Sequence, residues 1–261
     1  MFVFHCQLPT CPIVSSTLFF CLSLISSFGV RLELTLRIEV LKVFCLIVLS
    51  LICNVIPMIL LQYQNKLSLV AKWGTGLAYI VFVVLVIYFL WKAHKKYEPV
   101  EVASQKMTAK DFGIALLFFL AARVVAIVGT LINQALSGQQ TTANDAALQG
   151  LTAFFKNGFF LYTILYVLLV GIVGPIIEEL VYRAFPDHLL FKHSHKIAAG
   201  VVTTAIFAFP HATTIPEFIL YAAIGAILYL AYARRGNIKD SMMVHVLNNL
   251  PSAIYFLFIS L

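Results

Sequence analysis

Apolar residues in this chain come in runs of 18 to 25, separated by short polar segments. A helix that crosses a bilayer needs about 20 mostly apolar residues. Seven runs meet that need: 43–61, 74–91, 112–136, 158–177, 197–215, 216–233 and 241–261. An eighth, 12–30, is apolar but rich in serine, with neither Lys nor Arg before it and no clear cleavage site after it, so it reads as a weaker span. The pattern predicts an all-α fold, a polytopic transmembrane bundle of 7–8 spans. No internal repeat of the inverted-transporter kind is visible, and 137–150 (SGQQTTANDAALQG) reads as a polar loop.

Composition narrows the function classes. The chain is 61% hydrophobic and 11% charged, with a mean hydropathy of +0.96. Soluble domains are about 45–50% apolar and about 25% charged, so a cytosolic domain, a disordered chain and a nucleic-acid binder are excluded. The net charge of +7 instead marks orientation. Fourteen of the eighteen Lys and Arg fall in segments 31–42, 92–111, 178–196 and 234–240, which alternation places on one side, against three on the other and Arg123 inside a span. The positive-inside rule makes the rich side cytoplasmic. A multi-pass protein of the cell membrane follows, with its C-terminus outside and the lipid bilayer as its first partner. Five cysteines, all within the first 53 residues and without a CxxC pair, give neither a disulfide framework nor a thiolate metal site.

Ionisable residues inside spans are costly and mark function by default. Glu178-Glu179-Leu180-Val181-Tyr182-Arg183 continues the span 158–177 beyond a kink expected at Pro175, with Gly171 and Gly174 nearby. Pro186 is expected to end that helix just after Arg183. Glu179 and Arg183 then share a face and can pair, while Glu178 points about 100° away into a poorly solvated site suited to general-base work. His211 closes the run Phe207-Ala208-Phe209-Pro210-His211, and His245 and Asn249 share one face of the last span. Glu178, His211, His245 and Asn249, on three separate spans, form a constellation able to activate water and stabilise an oxyanion.

The order EExxxR, FxxxH, HxxxN on consecutive membrane segments resembles the CPBP family, which comprises type II CAAX prenyl endopeptidases and bacteriocin-processing or immunity-type membrane proteins. The stretch 222–249 (AAIGAILYLAYARRGNIKDSMMVHVLNN) fits as well. The resemblance covers residues 158–261, an expected protease core, and leaves 1–157 as additional N-terminal spans. It implies an intramembrane endopeptidase acting on a membrane-associated protein or peptide, such as a lipidated protein or a bacteriocin precursor. Glu178 and His211 would activate water, His245 and Asn249 would form the oxyanion site, and Glu179 and Arg183 would support the first helix.

Metal use stays open at this level. Glu178, His211 and His245 could supply three zinc ligands with a free fourth position. The HExxH helix of zincins is absent, and a mechanism in which Glu178 acts directly on water needs no cofactor. His188, His193 and His195 lie beside Lys192 and Lys196 in what reads as a solvated basic loop, and Arg123 either faces the cavity or pairs with a helix end. Two rivals to proteolysis are a self-immunity protein that binds a toxin without cutting it and a transporter, which would need two similar halves. Glu178 and His245 near the cytoplasmic ends of their helices would open the cavity to the cytoplasm. One geometric tension remains: His211 lies about 22 Å along its helix from Lys196, whereas Glu178 is only about two turns above Pro186. Either the fifth segment begins well outside the membrane or the cavity is deep.

Overall fold

The computed structural model describes residues 34–258 and is all-α; no strand occurs among them. The expected span at 12–30 and the first three cysteines lie outside the described residues. The long elements are α1 (Leu34–Tyr63), α2 (Leu69–His94), α3 (Ala109–Ser137), the short α4 (Ala143–Gly150), α5 (Phe160–Phe191), α6 (Lys196–His211), α7 (Ile215–Ala233) and α8 (Ile238–Phe258). Among the described residues, α1, α2, α3, α5 and α7 are long and apolar enough to cross a membrane. The runs read as spans at 197–215 and 241–261 differ from these. The first yields only the 16-residue α6, its last turn a 3-10 helix, and α8 is diluted by Lys239, Asp240, His245, Asn248 and Asn249.

Local chemistry sets the helix ends. Ser68 caps α2, and Thr108 and Asp111 form a reciprocal capping box at the start of α3, satisfying orphan backbone donors. Gly138 ends α3 in the left-handed conformation at φ 72°, where a glycine carries no Cβ penalty. At the Lys/Arg-rich end, Arg234 and Arg235 clamp Asp111 of α3 and Asp240 of α8, with N–O distances of 2.6 to 3.1 Å. At the other end, Glu217 accepts from the backbone N–H of Ala143 at 2.7 Å, and the hydroxyls of Tyr221 and Thr142 meet at 2.8 Å, so α7 holds α4 in place.

The central helix is α5. Of its most apolar window 56% is buried, against 11% for α3 on the outside of the bundle. The irregularity expected at Pro175 is a π turn at Leu169–Val173, which widens the backbone where the proline lacks a donor and crowds the preceding turn. The helix does not stop after Arg183. It runs through Pro186 to Phe191 by way of two more π turns, Leu180–Ala184 and Asp187–Phe191. Wide turns re-satisfy the groups that proline frees, as membrane helices allow. The 178–191 stretch is therefore a buried helix and not a basic loop.

This continuation removes the depth tension. Glu178 is thirteen residues above Phe191, about 20 Å, and His211 fifteen above Lys196, about 22 Å. The cavity is deep, and both helices reach it from the same end.

Candidate active site

Three helices, α5, α6 and α8, bring Glu178, His211, His245 and Asn249 together around one cavity of about 530 Å³, lined also by Asn54 of α1 and Arg123 of α3. Glu178 is buried on α5, and its Oε2 faces His211 Nε2 at 3.9 Å and His245 Nε2 at 3.8 Å. These gaps are too long for direct hydrogen bonds. His211 Nδ1 lies 2.7 Å from the carbonyl oxygen of Phe207. A carbonyl only accepts, so Nδ1 carries the hydrogen and Nε2 presents a lone pair to the cavity. The carboxylate and this nitrogen are both acceptors.

Behind them lies a charged support. Arg183 Nη1 sits 2.9 Å from Glu179 Oε1, so the expected pair forms, with both side chains fully buried. The same Glu179 oxygen accepts from His245 Nδ1 at 2.7 Å, which fixes the ring and turns its Nε2 toward Glu178. Glu179 thus orients a histidine of α8 as well as serving its own helix. Removing one partner of a buried pair such as this costs about 3–5 kcal/mol.

Two residues of the site were given no role by the sequence reasoning. Asn54 of α1 donates from Nδ2 to Glu178 Oε1 at 3.0 Å, so the carboxylate that lacks a partner in its own helix finds one from another. Its signal was a lone amide in the run 43–61. Phe207 is the second. Its ring covers the Arg183 guanidinium at 3.9 Å and lies 4.5 Å from the His211 ring and 5.7 Å from the His245 ring. The first residue of FxxxH therefore holds three polar side chains at once.

The amide side of the site is a chain of donors. Arg123 Nη1 donates to Asn248 Oδ1 at 3.4 Å, Asn248 Nδ2 to Asn249 Oδ1 at 3.1 Å, and Asn249 Nδ2 to the Val170 carbonyl at 3.3 Å. One N–H of Asn249 is thus engaged, and Val170 belongs to the first π turn of α5. Arg123 faces the cavity. It also lines a smaller side cleft of about 240 Å³ with Phe119, Asn248, Pro251, Ser252 and Tyr255.

A zinc ion bound at about 2.0–2.1 Å holds its donors roughly 3.4 Å apart. Glu178 Oε2 stands 3.9 Å from His211 Nε2 and 3.8 Å from His245 Nε2, somewhat wider than that spacing. Among the described residues, Asp187, His188 and His193 are the group whose ligand atoms all come within 4.8 Å of one another.

The lining residues trace the cavity from the site toward α4. From Glu178 the cavity continues past Thr130, Leu131 and Leu148 to Asn144 and Asp145 at the α4 end. In the opposite direction Ile177, Glu179, Leu180 and Arg183 are fully buried and Tyr182 is 1% exposed, which closes the bundle.

A family model described as type II CAAX prenyl endopeptidase Rce1-like matches residues 160–251. The "UPF0177 protein YbdJ" of Lactococcus lactis subsp. lactis is 38% identical over 79 residues, 30% of this chain and 34% of that protein. The "Putative membrane peptidase YdiL" of Bacillus subtilis is 31% identical over 85 residues, 33% of this chain and 34% of that protein. The similarity thus spans about a third of the length of these curated relatives. No solved structure matches the chain. The matched residues 160–251 supply the glutamates, the arginine of the pair, both histidines and Asn249, and are similar to the type II CAAX prenyl endopeptidase Rce1-like domain.

Proposed function

We propose that the chain is an intramembrane endopeptidase that hydrolyses a peptide bond in a membrane-associated protein or peptide without a metal ion. The observation that carries this reading is the meeting of the Glu178 carboxylate with the lone-pair nitrogen of His211 at 3.9 Å, deep in a closed-ended cavity. Two acceptors at that separation cannot bond each other, but one water can donate a hydrogen to each. Its lone pair then points into the cavity. Glu178 takes the proton as the water oxygen attacks the carbonyl carbon, and returns it to the leaving amine when the tetrahedral intermediate collapses.

The oxyanion is met from the other wall by the free N–H of Asn249 and by Arg123. His245, held at Nδ1 by Glu179, turns its Nε2 toward Glu178 and the reacting groups. Water and substrate arrive from the α4 end of the cavity. Leu131, Leu148, Leu169 and Leu220 along that path suit an apolar or lipidated segment, or a bacteriocin precursor.

The test compares newly formed protein N-termini in membranes of cells carrying wild type or Glu178→Gln. The variant keeps shape and removes the base. It should abolish the cleavage-dependent termini, a loss of about 100-fold or more, at unchanged protein level. Termini that persist in the variant would overturn the reading. Protection against a bacteriocin that survives in Glu178→Gln would overturn it in favour of binding without cleavage.

A further inference from the structure

A second cluster of ligating side chains lies at the Lys/Arg-rich end, nine residues and about 13 Å along α5 from Glu178. Asp187 and His188 belong to the last π turn of α5, and His193 follows in the turn to α6. One ligand atom from each lies within 4.8 Å of the others. Asp187 is 5% and His188 6% exposed, so this is not the solvated loop that the basic sequence around it suggests.

The hydrogen bonds leave particular nitrogens over. His188 Nε2 meets His94 Nδ1 of α2 at 3.1 Å, and the two rings stack at 5.2 Å. His193 Nδ1 meets Asp187 Oδ2 at 2.8 Å, and Tyr232 of α7 donates to the same oxygen at 2.7 Å. His188 Nδ1 is shielded from solvent and without a hydrogen-bond partner, while His193 reaches the Tyr97 backbone as well as Asp187. Buried polar atoms are nearly always satisfied, and a ring nitrogen left over among ligating side chains calls for an ion or a water. His188 is held by Nε2 with Nδ1 left over, as a metal-bound imidazole requires, and the His193 Nδ1–Asp187 contact brings the other two ligands together beside it. Lys192 at φ 48° and His193 at φ 59° both adopt the left-handed conformation, which costs a non-glycine residue about 1 kcal/mol or more. That backbone folds His193 back over His188, with ring centroids 4.2 Å apart.

We propose that Asp187, His188 and His193 bind one divalent transition-metal ion of the zinc class, in a structural site separate from the catalytic cavity. Two imidazoles and a carboxylate supply three ligands, and the fourth position is open to water. The ion ties the end of α5 to α2 through His94 and to α7 through Tyr232.

The full-length protein, purified in detergent on a histidine-free tag and stripped of metal, is titrated with Co2+ as a spectroscopic probe and with Zn2+ as a stabiliser. Wild type should bind one Co2+ and melt at a higher temperature with Zn2+. His193→Ala, at a half-exposed position, should fold and bind more than about 100-fold more weakly, since loss of even a ligand's hydrogen-bond partner costs 10–100-fold. Asp187→Asn keeps the side-chain shape and should weaken binding in the same way. Glu178→Gln should bind Co2+ like wild type. Absence of Co2+ binding to wild type overturns the site, as does binding that survives both His193→Ala and Asp187→Asn. Binding lost in Glu178→Gln would place the ion in the cavity instead and also overturn it.

Discussion

Among single residues, Asn54 separates a carboxylate that is held from one that is merely buried. Its amide donates to Glu178 Oε1 at 3.0 Å and leaves Oε2 to face the imidazoles. Hydrogen bonds to charged groups contribute about 1.5–3 kcal/mol. Asn54→Leu should therefore slow cleavage by about 10–100-fold, with little change in melting temperature, as a rate assay beside a thermal scan would read. A wild-type rate would show that Glu178 is positioned by its helix alone. Glu178, Glu179, Arg183, His211, His245 and Asn249 stood out in sequence because polar groups inside apolar runs are costly, and for Glu179 the i,i+4 spacing also named its partner, Arg183. Asn54 did not, since a lone amide in an apolar run points to no partner. Phe207 was quoted within a motif yet looked like any core aromatic, because its use depends on Arg183 arriving from another helix.

At the scale of elements, apolar run length located α3 and α7 to within three residues and α2 to within five, whereas α1 begins nine residues ahead of its run. The end of α5 escaped it. The rule that a helix stops before proline assumes that freed backbone groups can turn to water, whereas here the backbone widens into π turns and continues to Phe191. Close packing of α5 on α8 depends on Gly171, where an added Cβ would stand 3.1 Å from both Ala253 Cβ and Leu250 Cδ1. Gly171→Ala should force the helices apart near Asn249 and lower stability by about 1–3 kcal/mol, read as a drop in melting temperature. Ala253→Gly in the same chain should recover part of the loss. A double variant no better than the single one would mean that the strain lies at Leu250.

For the whole molecule, the charge asymmetry and the cavity point to opposite ends. Cysteine placed at exposed Gln139, or at Thr130 on the cavity wall, should react with an impermeant thiol reagent in intact cells, on a background without the five native cysteines. Cysteine at exposed Glu101 should react only after permeabilisation. The reverse pattern would turn the bundle over and bring the substrate from the cytoplasm. The closed floor of the cavity has a consequence of its own. A hydrated shaft driven halfway through a bilayer risks becoming a conduit that drains the membrane potential. Here the shaft ends on Ile177, Leu180 and Tyr182 around the buried Arg183 guanidinium, itself capped by the Phe207 ring. The guanidinium is neutralised by Glu179 at 2.9 Å, so the barrier to ions is the close-packed floor itself, which offers a charge no hydration. The packing that steadies α5 would thereby also keep the membrane electrically tight, so that the proposed hydrolysis could use water without a leak.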